Sequence, residues 1–264
     1  MTFWTSGMFG GDPSTSDGSA RRRRVRRSTA LLLCAVLIAG LALGAVGCSR
    51  SAIVSNQPAQ PYPPFPKTNA APYVAPTDQQ KQWALALAAI VAVQDDDQLD
   101  TLNGAAGPRN SAQLDAVRQR LSDSWDINSR SDLLRTLTSI EDGGQRQAYN
   151  DQHPGDAKSI SAWDYGRYVA LCRWGYAIGY LSEAEAWQRI MPVARLMQST
   201  FSSWREYGTD YMTGREYWSP NASDAASIRS ILDSLLTDSR SPWKRLPWDL
   251  DLGPEREAAD PRVP

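Results

Sequence analysis

Residues 161–181, SAWDYGRYVALCRWGYAIGYL, constrain the fold more than any other stretch of the chain. At about 100° per residue, Trp163, Ala170, Trp174 and Ala177 share one face of a helix. Tyr165, Val169, Cys172 and Tyr176 lie on the opposite side. A helix that is apolar nearly all round has no face to give to solvent, so it is expected at the centre of a domain. Ser161 reads as its N-cap, with Asp164 at N3 suited to the positive end of the helix dipole. Gly179 reads as the C-terminal cap. Gly166, Gly175 and Gly179 each cost about 1 kcal/mol against Ala in a helix interior. That cost is understandable where neighbouring backbones approach closely. Asp164, Arg167 and Arg173 are the charged residues of the stretch, and charges in a central helix need partners. Asp164 and Arg167, spaced i, i+3, can meet.

The flanking sequence carries the same helical period. Residues 80–93 predict a helix with Trp83, Leu87, Ile90 and Val91 on one side. Asp95, Asp96 and Asp97 follow as a solvated helix end, and residues 104–110 as a loop. Residues 112–125 form the next helix through Leu114, Val117, Leu121 and Trp125. Another, capped by Ser131, buries Leu133, Leu134, Leu137 and Ile140 and stops at Gly143 and Gly144. Residues 145–160 are polar and read as connection. Ser182 and Glu185 form a capping box for a helix reaching Phe201, with Pro192 expected to kink it. Residues 203–218 are aromatic and interrupted by Gly208 and Gly214. Ser223 or Asp224 caps a last helix through Ile228, Ile231, Leu232, Leu235 and Leu236. Residues 241–252 are irregular but carry Trp243 and Trp248, so they are expected to pack back on the body. No stretch shows sustained period-2 alternation. The expected fold is all-α, a single compact multi-helix domain over residues 79–252 around the central buried helix. Residues 253–264 read as a disordered tail.

Ahead of this domain lies an address. Arg21–Arg24, Arg26 and Arg27 precede an apolar run over residues 30–47 that ends AVGC at Cys48. Residues 1–48 thus resemble a bacterial lipoprotein export signal, in which the lipobox cysteine is lipidated and becomes the mature N-terminus. Ala45 stands where Leu is commonest, so the lipobox fits the looser pattern. The alternative is an uncleaved single-pass anchor, for which the run is just long enough. Residues 49–78 hold seven prolines and almost no charge, the pattern of a flexible tether that is semi-rigid where proline clusters. Six Arg and two Asp give residues 1–47 a charge of +4, so the −1 of the whole chain leaves −5 for the remainder. A mildly acidic body argues against a nucleic-acid partner. With Cys34 in the apolar run and Cys48 at the lipobox, Cys172 is the only cysteine left to the domain, so no disulfide forms within it. Its expected role is a small buried apolar residue.

No strong catalytic signature appears: no Walker loop, dinucleotide fingerprint, HExxH, paired CxxC or serine elbow. No metal site or cofactor is expected. His153 is the single histidine and lies in a loop-like context. The polar residues expected to share one place are Asp164, Arg167, Arg173, Arg195, Glu206 and Arg215. The structural reading is a buried ion-pair network that fixes helix register. The functional reading is a cleft where arginines grip a carboxylate or phosphate. Asp164 and Glu206 could also act as acid and base in hydrolysis, if both faced one groove. Trp163, Trp174 and Trp187 fall at helical spacing and read as core. Trp204, Trp218, Trp243 and Trp248 lie in Gly/Pro-broken segments and are candidates to line a surface groove.

The motifs AWDYGR, RWGYAIGYLSEAEAW and TFSSWREYG, with Tyr211, Gly214-Arg215, Trp218 and the later SPW and PW, resemble the DUF1266 family of bacterial proteins. The resemblance covers most of residues 112–252. The family has no assigned activity, so the resemblance implies no catalytic role for any residue here. The export signal belongs to this chain and is not implied by the family. The sequence therefore predicts a binding or scaffolding module anchored at the extracytoplasmic face of the cytoplasmic membrane. The anchor is a lipidated Cys48 or the uncleaved segment 30–47, and an envelope protein is the expected partner. The alternative is an envelope hydrolase acting on glycan or peptide with Asp164 and Glu206.

Overall fold

The computed structural model describes Phe65, residues 75–156, Lys158, residues 160–219 and residues 221–253. The export signal with Cys48, most of the tether and most of the tail lie outside the described residues. Ten helices follow one another among those described: α1 (Asp78–Ala86), α2 (Ala89–Gln94), α3 (Ser111–Trp125), α4 (Arg130–Glu141), α5 (Gly144–Gln152), α6 (Ser161–Ala177), α7 (Glu183–Thr200), α8 (Trp204–Trp218), α9 (Ala222–Thr237) and α10 (Pro242–Arg245). No strand occurs among the described residues, and the domain is all-α.

The central helix is α6. Fourteen of its seventeen residues are buried, which leaves no continuous face for solvent. It packs against α2, α3, α4, α5, α7 and α8. Close approach explains two glycines. A Cβ on Gly166 would stand 2.9 Å from Tyr207 Oη and 3.1 Å from Leu87 O. A Cβ on Gly214, in α8, would stand 2.2 Å from Trp163 Cβ. Gly214 and Gly208 therefore do not interrupt residues 203–218; α8 runs through both. The helix end matches the sequence reading. Gly179 has φ +81°, its N–H donates to Tyr176 O at 3.1 Å, and the Tyr180 N–H donates to Gly175 O at 2.8 Å. That pair of bonds is the Schellman ending.

The start of α6 differs from the sequence reading. Ile160, not Ser161, is the N-cap; it sits at φ 53° and has no side-chain cap. The Ser161 hydroxyl turns back to Lys158 O at 2.5 Å. The orphaned Ala162 N–H is taken from outside the helix, by Asp210 Oδ1 of α8 at 2.7 Å. The same device starts α5, which the sequence reading treated as connection. Gly143 offers that helix no side chain, and Asp164 of α6 accepts the Arg146 N–H at 3.0 Å instead.

The expected helix over residues 80–93 breaks at Leu87–Ala88 into α1 and α2. The break is buried, and its carbonyls are satisfied from a distance. Trp243 Nε1 donates to Ala86 O at 2.8 Å and Tyr207 Oη to Leu87 O at 2.8 Å. Local capping is also shifted in two places: Ser129 rather than Ser131 caps α4, and Asn221 rather than Ser223 or Asp224 caps α9. The Ser182–Glu185 capping box of α7 forms as expected, and Pro192 lies inside that helix.

Candidate functional site

Asp164 is the one carboxylate of the central helix. Its side chain is fully buried. Oδ2 accepts from the Arg146 backbone N–H at 3.0 Å and from Arg146 Nη1 at 3.1 Å, and Oδ1 accepts from Arg167 Nη2 at 2.8 Å. Arg146 in turn donates to Ile140 O at 2.7 Å and lies 4.3 Å from the Tyr165 ring centroid. The i, i+3 pairing of Asp164 with Arg167 was legible in the sequence. The larger contribution of Arg146 was not, because the two residues stand eighteen positions apart.

The other members of the expected cluster go elsewhere. Arg173 lies nine residues beyond Asp164, which at about 100° per residue is half a turn away and about 13 Å along the axis. Its guanidinium donates to Gln98 O and, at 3.1 Å, to Thr101 O. It belongs to a second network at the end of α2. There Arg109 Nη2 meets Asp97 Oδ1 at 2.5 Å, Arg120 meets Asp95 at 3.2 Å, and Trp174 Nε1 donates to Asp97 Oδ2 at 3.2 Å. The side chains of Asp95 and Asp97 are only 9% and 5% exposed, so two of the three carboxylates of that run are not a solvated helix end. Burial pushes the Asp95 carboxyl up to about 6 against the pull of Arg120, and draws the Arg173 guanidinium down to about 10. Arg195 donates to Gly253 O at 3.3 Å, and Arg215 pairs with Asp224 at 2.9 Å.

Glu206 is held in a third place. It pairs with Lys158 and accepts from the Ser202 N–H at 2.7 Å and the Ser202 hydroxyl at 2.6 Å. These partners, Lys158 foremost, bring its carboxyl down to about 2. Glu206 lines a polar cleft of about 440 Å³ together with Asp156, Lys158, Arg205, Thr209 and Asp210; Asp164 does not line it. Asp210 is 8% exposed there, and desolvation raises its carboxyl to about 7 despite the hydrogen bond from Ala162. No group of three or more His, Cys, Asp or Glu side chains suited to a metal ion occurs among the described residues.

The four candidate groove tryptophans separate. Trp204 stacks on Trp243 at 5.4 Å and meets Trp83 and Trp248, each at 4.8 Å. The indole N–H of Trp204 donates to Leu246 O at 2.9 Å and that of Trp248 to Phe201 O at 2.8 Å. These three close the core over α1 and α8. Trp218 is different, being 55% exposed. The Arg167 guanidinium lies 4.3 Å from the Trp163 ring, 5.2 Å from Trp125 and 5.8 Å from Trp218. The buried Asp164 pair therefore opens outward into a patch of Arg167, Trp125 and Trp218, the side-chain types that carry most binding energy at protein interfaces. Sequence spacing marks Trp125 only as a helix residue; cation–π reach across α3, α6 and α8 has no signature in it.

Residues 153–248, which take in α6 through α10, match the family described as "Protein of unknown function (DUF1266)". The resemblance drawn from the AWDYGR and RWGYAIGYLSEAEAW motifs holds over that segment. The chain is also similar to two proteins of Escherichia coli (strain K12). It is 31% identical to Uncharacterized protein YbeR over 148 residues, 42% of this chain and 63% of that protein. It is 28% identical to Uncharacterized protein YbeU over 155 residues, 45% of this chain and 66% of that protein. The chain thus spans a little under two thirds of the length of either relative. No solved structure matches it.

Proposed function

We propose that this chain, a carrier of the DUF1266 segment, is a binding or scaffolding module of the bacterial cell envelope, held at the outer face of the cytoplasmic membrane by a lipidated Cys48. One observation carries the choice of a module over a hydrolase built on Asp164 and Glu206: both of those carboxylates are already spent. Asp164 is closed off between Arg146 and Arg167, and Glu206 is held ionised by Lys158 and Ser202. A glycosidase pair needs two carboxyls flanking one groove, one of them kept protonated. Glu206 has a lowered pKa and Asp164 faces no groove. The exposed Trp218, with half-buried Trp125 and the Arg167 guanidinium beneath it, supplies the complementary part, an aromatic contact surface. The anchor rests on the arginine cluster, the apolar run and the AVGC ending.

The test is crosslinking in intact cells, comparing the full chain with its Trp218→Ala variant. Trp218 is exposed, so the variant should melt as the parent does. A defined partner captured by the parent and lost in the variant is expected. An identical capture from both chains, or turnover of envelope glycan or peptide abolished by Glu206→Gln, contradicts the reading.

A further inference from the structure

Phe65 belongs to the proline-rich segment, yet it is packed against the core of the domain. Its ring centroid lies 5.6 Å from that of Tyr168 and 6.2 Å from that of Tyr165, tilted by 47° and 37°. Both tyrosines are on α6 and have no exposed surface. They stand 6.4 Å apart, edge to face, and each is fixed from behind. Tyr168 Oη donates to Glu141 Oε1 at 2.6 Å, and the Arg146 guanidinium lies 4.3 Å from the Tyr165 ring. Glu141 is itself paired with Arg189 at 3.2 Å. Two tyrosine rings on a buried helix, locked by charged partners, make a rigid seat for one more aromatic ring.

We propose that this seat is a binding site for an aromatic side chain presented by a proline-rich peptide, and that Phe65 is its resident occupant supplied by the same chain. Phe65 stands in Pro61-Tyr62-Pro63-Pro64-Phe65-Pro66. Residues before proline are steered to extended backbone, and such a peptide reaches the polyproline II form with little further loss of entropy. With three residues per turn, a peptide of this sequence in that form carries Tyr62 and Phe65 on one edge. Proline-rich ligands are recognised in this way, by aromatic surfaces that take side chains from a preformed helix. Covalent connection makes the local concentration of the internal ligand on the order of millimolar. A free peptide must compete with it. The seat does not depend on how the chain is anchored.

The experiment uses the full chain and a synthetic peptide of residues 58–69. The peptide is expected to bind the Phe65→Ala chain at least about tenfold more tightly than the wild-type chain, whose own Phe65 holds the seat. A peptide with Ala in place of Phe65 is expected to bind neither. Equal binding to both chains, or none to Phe65→Ala, overturns the proposal. A second measurement does not depend on that variant. With p-benzoylphenylalanine at position 65, illumination should join position 65 to residues 161–173 of the same chain. Crosslinks elsewhere, or only between differently isotope-labelled copies, overturn the assignment within one chain.

Discussion

Asp164 accepts three hydrogen bonds with one carboxylate: from the Arg146 N–H at the start of α5, from the Arg146 guanidinium, and from Arg167 one turn along α6. Removing one partner of a buried pair leaves uncompensated charge and costs about 3–5 kcal/mol. Asp164→Asn should therefore lower the urea midpoint strongly. Asp115→Asn, which removes an exposed partner of Arg118, should leave it unchanged. Equal midpoints for the two variants would contradict this weighting. Asp210 makes a different prediction. Its carboxyl is raised from 3.8 to about 7, first of all by desolvation. Because the folded value lies above the unfolded one, the contribution is present in full below about pH 4 and is lost as pH rises through about 7. Asp95, raised to about 6, acts in the same direction. Asp210→Asn keeps an acceptor for the Ala162 N–H and removes the titration. Stability measured between pH 4 and 8 should fall less steeply in the variant; parallel curves would count against it. Tyr149, Asp156 and Lys158 face the same carboxylate, so the comparison with Asn isolates it from them.

At the scale of helices, the informative feature is where each one gets its caps. The boxes Ser182–Glu185, Thr77–Gln80 and Asn110–Gln113 close within three residues, and one of them was read directly from the sequence. α5 and α6 instead borrow acceptors from α6 and α8, eighteen and forty-eight positions away. Local rules cannot see such caps, which is why Ser161 attracted a role it does not play and α5 was missed. The glycines of α8 misled for a related reason. Their propensity cost reads as a break, but the contact of Gly214 with Trp163 supports the helix running through it. Gly214→Ala would force a Cβ to within 2.2 Å of Trp163 Cβ and push α6 and α8 apart. Overpacking of this kind costs about 1–3 kcal/mol. Gly107→Ala, with nothing within 4 Å, should be close to neutral in the same melting experiment.

Over the whole molecule, the helical period, the central position of α6 and the return of Trp243 and Trp248 to the body were all legible, because each rests on apolar patterning that burial enforces. The grouping of charges was not. Arg173 and Asp164 were expected together although half a turn and about 13 Å of helix separate them; spacing alone argued for two networks. The exposed patch at Trp218 was one of four equal candidates in sequence, and only the packing of Trp204 and Trp248 on Trp83, with Trp243 stacked on Trp204, singles it out. Among the described residues no helix is long and apolar enough to cross a membrane, so the proposed envelope role hangs on the segment ahead of the domain. The most direct measurement is therefore fatty-acid labelling and fractionation of cells producing the full chain or its Cys48→Ala variant. The account predicts a labelled, shortened, membrane-bound parent and an unlabelled, unshortened variant. Normal shortening of the Cys48→Ala chain, or a parent that carries no label, would contradict it.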